Sequence, residues 1–129
     1  MRRGLGLLEL QAAIYLRLKN AMPDVSTFDA VPEDETFPYI VIGDETATDW
    51  SEKIGAGIDA SEQVQVFSRA DGFAEAKEIA GRVVDALTAG EFEVDGQNLV
   101  DLRLEGSETF RDEEDRRVVL RFTIRLQER

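Results

Sequence analysis

Carboxylates are the one abundant class of side chain here with catalytic or metal-binding chemistry. Asp and Glu together number 27, while neither histidine nor cysteine occurs anywhere among the 129 residues. That excludes disulfides, thiolate nucleophiles, Ser-His and Cys-His pairs, Cys/His zinc sites and an imidazole general base. Acid/base work by paired carboxylates and a calcium site built from oxygen ligands remain. Asp112-Glu113-Glu114-Asp115 offers the ligands for the second. Calcium loops, however, alternate their carboxylates with other residues and carry a glycine for the turn. This run does neither and leads into Arg116-Arg117, so it reads as a solvated hairpin tip. Asp44-Glu45 could be an acid and its base, but nothing else marks a cleft around them, and an exposed strand end accounts for both. Gly4-Leu5-Gly6 has no strand before it, and Gly55-Ala56-Gly57 has neither a Lys-Ser/Thr ending nor a following helix, so neither is a phosphate loop. No catalytic residue, cofactor or metal is expected.

Contact chemistry is better represented. Trp50 is the single tryptophan and sits in a polar tract between Asp49 and Ser51. Two readings are open. The ring folds back over the edge of a sheet, or it anchors a neighbouring chain, as tryptophan often does at interface hot spots. On the second reading Thr48, Asp49, Trp50, Ser51 and Lys53 form the candidate contact site.

The balance of charge limits the partners. A net charge of −12 repels nucleic-acid phosphates over a broad surface. Arg2, Arg3, Arg116 and Arg117 are too few, and too interleaved with acids, to form a basic patch. After Met1-Arg2-Arg3 the chain passes straight into an amphipathic pattern, and no apolar stretch approaches the ~20 residues that cross a bilayer. A soluble protein with no membrane partner is expected. Apolar residues make up 43% of the chain, enough for one real core, so residues 1–129 are expected to form a single domain.

The elements that would position these residues follow from periodicity. Leu7, Leu10, Ile14 and Leu18 recur at helical spacing between Leu5 and Asn20, with Leu8, Ala12 and Tyr15 widening the stripe. Phe28 to Val31 reads as a short strand. Pro38 opens the apolar strand Tyr39-Ile40-Val41-Ile42, and Val64 and Val66 alternate with Gln63, Gln65 and Ser68 in its hairpin partner. Asp71 is the expected N-cap of a second helix striped by Phe73, Ala76, Ala80, Val83, Val84 and Leu87, with Gly90 as its stop. Phe92-Glu93-Val94 and Leu99 flank the turn Asp95-Gly96, and Leu120, Phe122, Ile124 and Leu126 alternate in the last strand. The order implies an α+β fold: a mainly antiparallel sheet of about five strands with two helices packed on one face. If the strand from Val118 to Leu126 lies at the sheet edge, its backbone is a pairing site for another subunit.

These segments resemble a known family. Leu10 to Lys19 looks like its opening helix; Asp29-Ala30-Val31-Pro32 and Phe37 to Gly43 look like its first two strands. Ala47-Thr48-Asp49-Trp50-Ser51-Glu52-Lys53 resembles its hairpin signature. Val64 to Arg69, Glu75-Ala76-Lys77 and Ile79-Ala80 match the strand entering the second helix, and Asn98-Leu99-Val100 with Val119 to Phe122 complete the set. The chain is similar to the tail-completion, or tail-terminator, proteins of long-tailed phages, prophages and gene transfer agents. The resemblance implies a structural virion protein rather than an enzyme. It would form a hexameric ring at the head-proximal end of the tail, stop growth of the tube made by the major tail tube protein, and join the head-tail connector proteins. DNA would pass through without specific binding, and assembly would take place in the bacterial cytoplasm. The contact site around Trp50 would then face a neighbouring subunit or the tube. A stopper or adaptor of the connector is the rival reading, and a small carboxylate enzyme of the cytoplasm a more distant one.

Overall fold

Strict alternation in two long strands sets the architecture. In β3 (Gly57–Ser68) the residues Ile58, Ala60, Val64 and Val66 turn to one side, and in β5 (Arg116–Glu128) Val118, Leu120, Phe122, Ile124 and Leu126 do the same. The antiparallel register sets Val64 against Leu120 and Ala60 against Ile124, so the two apolar rows form one surface. The computed structural model describes residues 6–50 and 56–129, in the order α1 (Leu7–Ala21), β1 (Ser26–Phe28), β2 (Tyr39–Asp49), β3, α2 (Ala74–Thr88), β4 (Gln97–Arg111) and β5. The strands form a single sheet in the order β1-β2-β3-β5-β4. All neighbours are antiparallel except β1 and β2.

Both helices cover the apolar face. α1 buries Leu10, Ile14 and Leu18, one residue per turn, and α2 buries Ala76, Ile79, Ala80, Val83 and Leu87. Each large aliphatic side chain so removed from water contributes roughly 1.5–3 kcal/mol. Polar ties fix the helices to each other and to the loop between α1 and β1. Arg17 Nε donates to the Ala86 carbonyl at 2.8 Å, and the Arg82 guanidinium grips both carboxylate oxygens of Asp24 at 3.0 and 2.6 Å. The α+β fold, with two helices on one face of a five-stranded, mainly antiparallel sheet, is the one the sequence implies.

Several local expectations shift. The first strand spans Ser26–Phe28 rather than Phe28 to Val31, because pairing with Tyr39, Ile40 and Val41 fixes its place. Phe73, not Asp71, precedes α2, and no side chain caps that helix. Instead Ser68 is fully buried and donates through Oγ to Glu75 Oε1 at 2.7 Å, so it shares the core side with Val64 and Val66. Phe92 to Val94 reduces to one bridge, Val94 with Gln97, closing a turn in which Gly96 takes φ 73°. The strand from Val118 to Leu126 is not an edge. It lies between β3 and β4, and β4 is the edge on that side. Finally, the widened flank of the α1 stripe is not buried: Leu8 is 72% exposed and Tyr15 37%, and Leu16 beside them is 57% exposed.

Ile14→Ala should therefore cost about 2–5 kcal/mol of folding free energy, and Leu16→Ala should change it by less than about 0.5 kcal/mol. Urea denaturation of the two variants beside the parent measures both.

Candidate functional site

At the end of the β2–β3 hairpin, Trp50 lies back on its own sheet. Its backbone N–H donates to Gly57 O at 2.9 Å, and its indole Nε1 donates to the carbonyls of Ile58 and Leu126 at 3.0 and 3.2 Å. The ring fits because position 57 has no side chain. A Cβ there would stand 2.8 Å from the indole and 2.9 Å from Leu126 O. Arg125 packs on the ring at 4.4 Å and is held in place by Asp59, which accepts from it at 2.6 and 3.0 Å. That hydrogen bond holds the Asp59 carboxyl below its ordinary value. Thr48 and Asp49 pair with Asp59 and Ile58 across the ladder. Ser51 and Lys53 lie outside the described residues. Trp50 is thus half-buried among its own chain's strands, with Arg125 over the ring on the face that no helix covers. Gly57, near in sequence, and Arg125, far from it, hold the ring there, and neither was foreseen.

The rest of that helix-free face is a layer of rings and ion pairs. Tyr39 stacks on Phe67 at 5.3 Å and meets Phe28 edge-on at 5.9 Å. Arg69 sits 4.1 Å from the Phe37 ring, and Arg117 4.4 Å from Phe110. Further along, Arg121 pairs with Glu108 at 3.3 Å and Thr123 donates to Glu105 at 2.9 Å. The acidic run at Asp112 to Asp115 is a hairpin tip. Asp115 accepts from Arg69 at 2.9 Å, and Arg116 donates to the carbonyls of Asp112 and Asp115 at 3.3 and 3.2 Å. Among the described residues no group of three or more acids is placed to hold a metal ion.

Glu45 has a partner that its sequence neighbours do not suggest. Asp44 forms a bulge with φ 54°, which sets Glu45 directly opposite Glu62 of β3. Glu62 is 2% exposed, on the core side between Ala60 and Val64, and Oε2 has no hydrogen-bond partner among the described residues. Burial, then the hydrogen bond and negative charge of Glu45, push its carboxyl up to about 9. A neutral acid at this spot is the form that burial tolerates. Its parity with Val64 and Val66 was the available signal in the sequence. The shallow cavity beside Glu45, of about 470 Å³, is lined by Asp44, Glu45, Thr46, Ser61, Gln63 and Arg121 and does not reach Glu62.

What the fold and its surfaces define is a small α+β subunit whose exposed chemistry is that of contact. Residues 12–127 match the model of the family described as tail completion protein gp17, and the chain belongs to that family. No curated protein sequence matches it. Among solved structures it is similar to a chain in the virion of a native gene transfer agent particle, with a TM-score of 0.84 and 28% identity over 97% of this chain and 99% of that one. It is also similar to the gp17 protein of bacteriophage SPP1, with a TM-score of 0.54 and 26% identity over 98% of this chain and 97% of that one. The family is a structural one of phage tails, and this chain is a tail-completion component of a phage or gene transfer agent particle.

Two outcomes follow from the geometry. Gly57→Ala should displace the indole, lowering stability by about 1–3 kcal/mol and shifting the emission of the single tryptophan to the red. Fluorescence-monitored unfolding reads both. Glu62 keeps its proton in the folded chain from its ordinary value of 4.5 up to about 9, while the unfolded chain releases it. Folding stability from this group is therefore full below the ordinary value and declines as pH rises toward the folded value, by up to ~1.4 kcal/mol per pH unit. Glu62→Gln should remove that decline, seen as a flat profile of urea midpoints across the same pH window.

Proposed function

We propose that the protein caps the head-proximal end of the tail tube as a six-membered ring, ends tube growth and presents the surface on which head-tail connector proteins dock. The observation that carries this reading is the likeness, over almost the whole of both chains, to a subunit of an assembled gene transfer agent virion. Such a part works by its contacts and needs no turnover, in keeping with a surface organised into ion pairs and stacked rings. Repetition of one heterologous contact closes into a ring when the rotation between neighbours divides the circle. The hairpin end, with Thr48, Asp49 and Trp50 and onward through Ser51 and Lys53, is the proposed contact with the tube or an adjacent subunit. Trp50 enters that contact with its indole N–H already bonded, so the ring offers apolar area without an unsatisfied donor. A subunit with net charge −12 also suits a ring around passing DNA, since it repels phosphate.

Particles made without the protein should carry tails of varied length and no heads, and native mass measurement of wild-type tail ends should give six copies. Electron microscopy and mass spectrometry make the comparison. Uniform, headed tails in its absence, or a strictly two-fold assembly on the tail, would show the reading to be wrong.

A further inference from the structure

The large apolar side chains that remain exposed among the described residues fall at two places. Leu8, Tyr15, Leu16 and Val31 lie along the β1 side of the molecule, and Val100 and Leu104 lie on β4 at the opposite end of the sheet. On the first side, Leu8, Ala12, Tyr15 and Leu16 of α1 line a groove of about 420 Å³ with Ile42 on its sheet side. Beside it the sheet is incomplete. β1 pairs with Tyr39, Ile40 and Val41 alone, and β2 continues to Asp49 with no strand on its outer flank among the described residues. On the second side β4 has β5 along its inner flank and, among the described residues, no strand along its outer one.

We propose that these two edges are the two halves of one contact between copies of this chain, the outer flank of β4 on one copy docking beside β2 of the next with Val100 and Leu104 entering the α1 groove. This rests on the ring reading above and names the surface that would build it. Strand direction is right. β2 runs opposite to β3, β3 opposite to β5 and β5 opposite to β4, so β4 and β2 run opposite to each other. Copies set side by side with their helices on the same side therefore meet as an antiparallel pair. Facing is right as well. Leu104 stands opposite Phe122 and Leu102 opposite Ile124, both core positions, so the exposed leucine lies on the helix side, where the groove is. On β4, Glu105 and Glu108 are turned back onto Thr123 and Arg121 of β5, and Asp101 lies 3.5 Å from Arg103, so the acids of this edge are already bonded within their own chain. Bulges interrupt β4 at Val100 and Glu105, which leaves Asp101 to Leu104 as its regular stretch. A short ladder with apolar anchors on one side is the expected form of the joint. Because the two patches differ, the contact is heterologous and propagates instead of ending at a pair.

The absence of cysteine makes the test clean. Cysteine pairs joining Leu8 or Leu16 with Val100 or Leu104 are introduced into the full chain, and assembled particles are oxidised, denatured and run on a gel. At least one double variant, for example Leu16→Cys with Leu104→Cys, should give a ladder ending in a closed covalent ring, and every single-cysteine variant should stay monomeric. Cross-linked dimers from a single-cysteine variant overturn the proposal, because they report a two-fold contact. So does the lack of a ladder from every pair when the variants make tails of normal length bearing this protein. A ladder from oligomers that never associate with tails supports the contact while counting against the tail-end reading. A second measurement does not depend on cross-linking. Leu16→Glu and Leu104→Glu should each keep the parental melting temperature and lose the ring, and mixing the two should restore one-to-one pairs and nothing larger. Rings that survive both substitutions overturn the proposal.

Discussion

Strand β5 is the member on which everything else hangs. It pairs with β3 from Arg116 to Gln127 and with β4 from Arg116 to Glu128, and five of its side chains form the floor under the helices. A strand bonded on both flanks leaves no backbone group to satisfy elsewhere. It also carries the other row of chemistry, since Arg117, Arg121 and Arg125 alternate with the apolar residues and emerge on the helix-free side. The two faces of this one strand thus set both the core and the ion-pair layer.

That division explains how a two-layer protein keeps half its sheet in water. The uncovered face would be a large apolar liability if it resembled the covered one. Instead, arginines lie over Phe37, Phe110 and Trp50 and pair with Asp59, Glu108 and Asp115. Each exposed pair contributes little by itself. As a set they shield ring faces with long alkyl stems and leave charge outermost.

Much of this was legible in the sequence. Leu10, Ile14 and Leu18, the second helix, the hairpin of β2 and β3 and the alternation of β5 all declare themselves by period, because each element has one buried face. The order of strands did not. Alternation tells which side chains point inward and is silent about which strand lies beside which, so β5 could be mistaken for an edge. Leu8, Ala12 and Tyr15 read as part of the buried stripe by spacing; position relative to the sheet, which spacing lacks, leaves them outside. Trp50 has polar neighbours along the chain and apolar, cationic ones in space, supplied by Gly57 and Arg125 from other strands. Glu62 was hidden for the opposite reason. It sits among Ser61 and Gln63 in a polar-looking stretch, and only parity with Val64 places it inside.

The central position of β5 has a further consequence for when the molecule comes into being. Among the described residues β5 follows every other element, yet β4 has no other strand partner. A nascent chain that has emerged through β4 can close the β2–β3 hairpin and lay α2 down, but it has no sheet on which β4 can rest. The pairing of β3 with β5 spans the whole of α2 and β4, a long loop whose closure must be met before its contacts can form. One of the two sheet edges therefore does not exist until β5 has been made, and a chain that stops short of it has no ordered β4 edge to present.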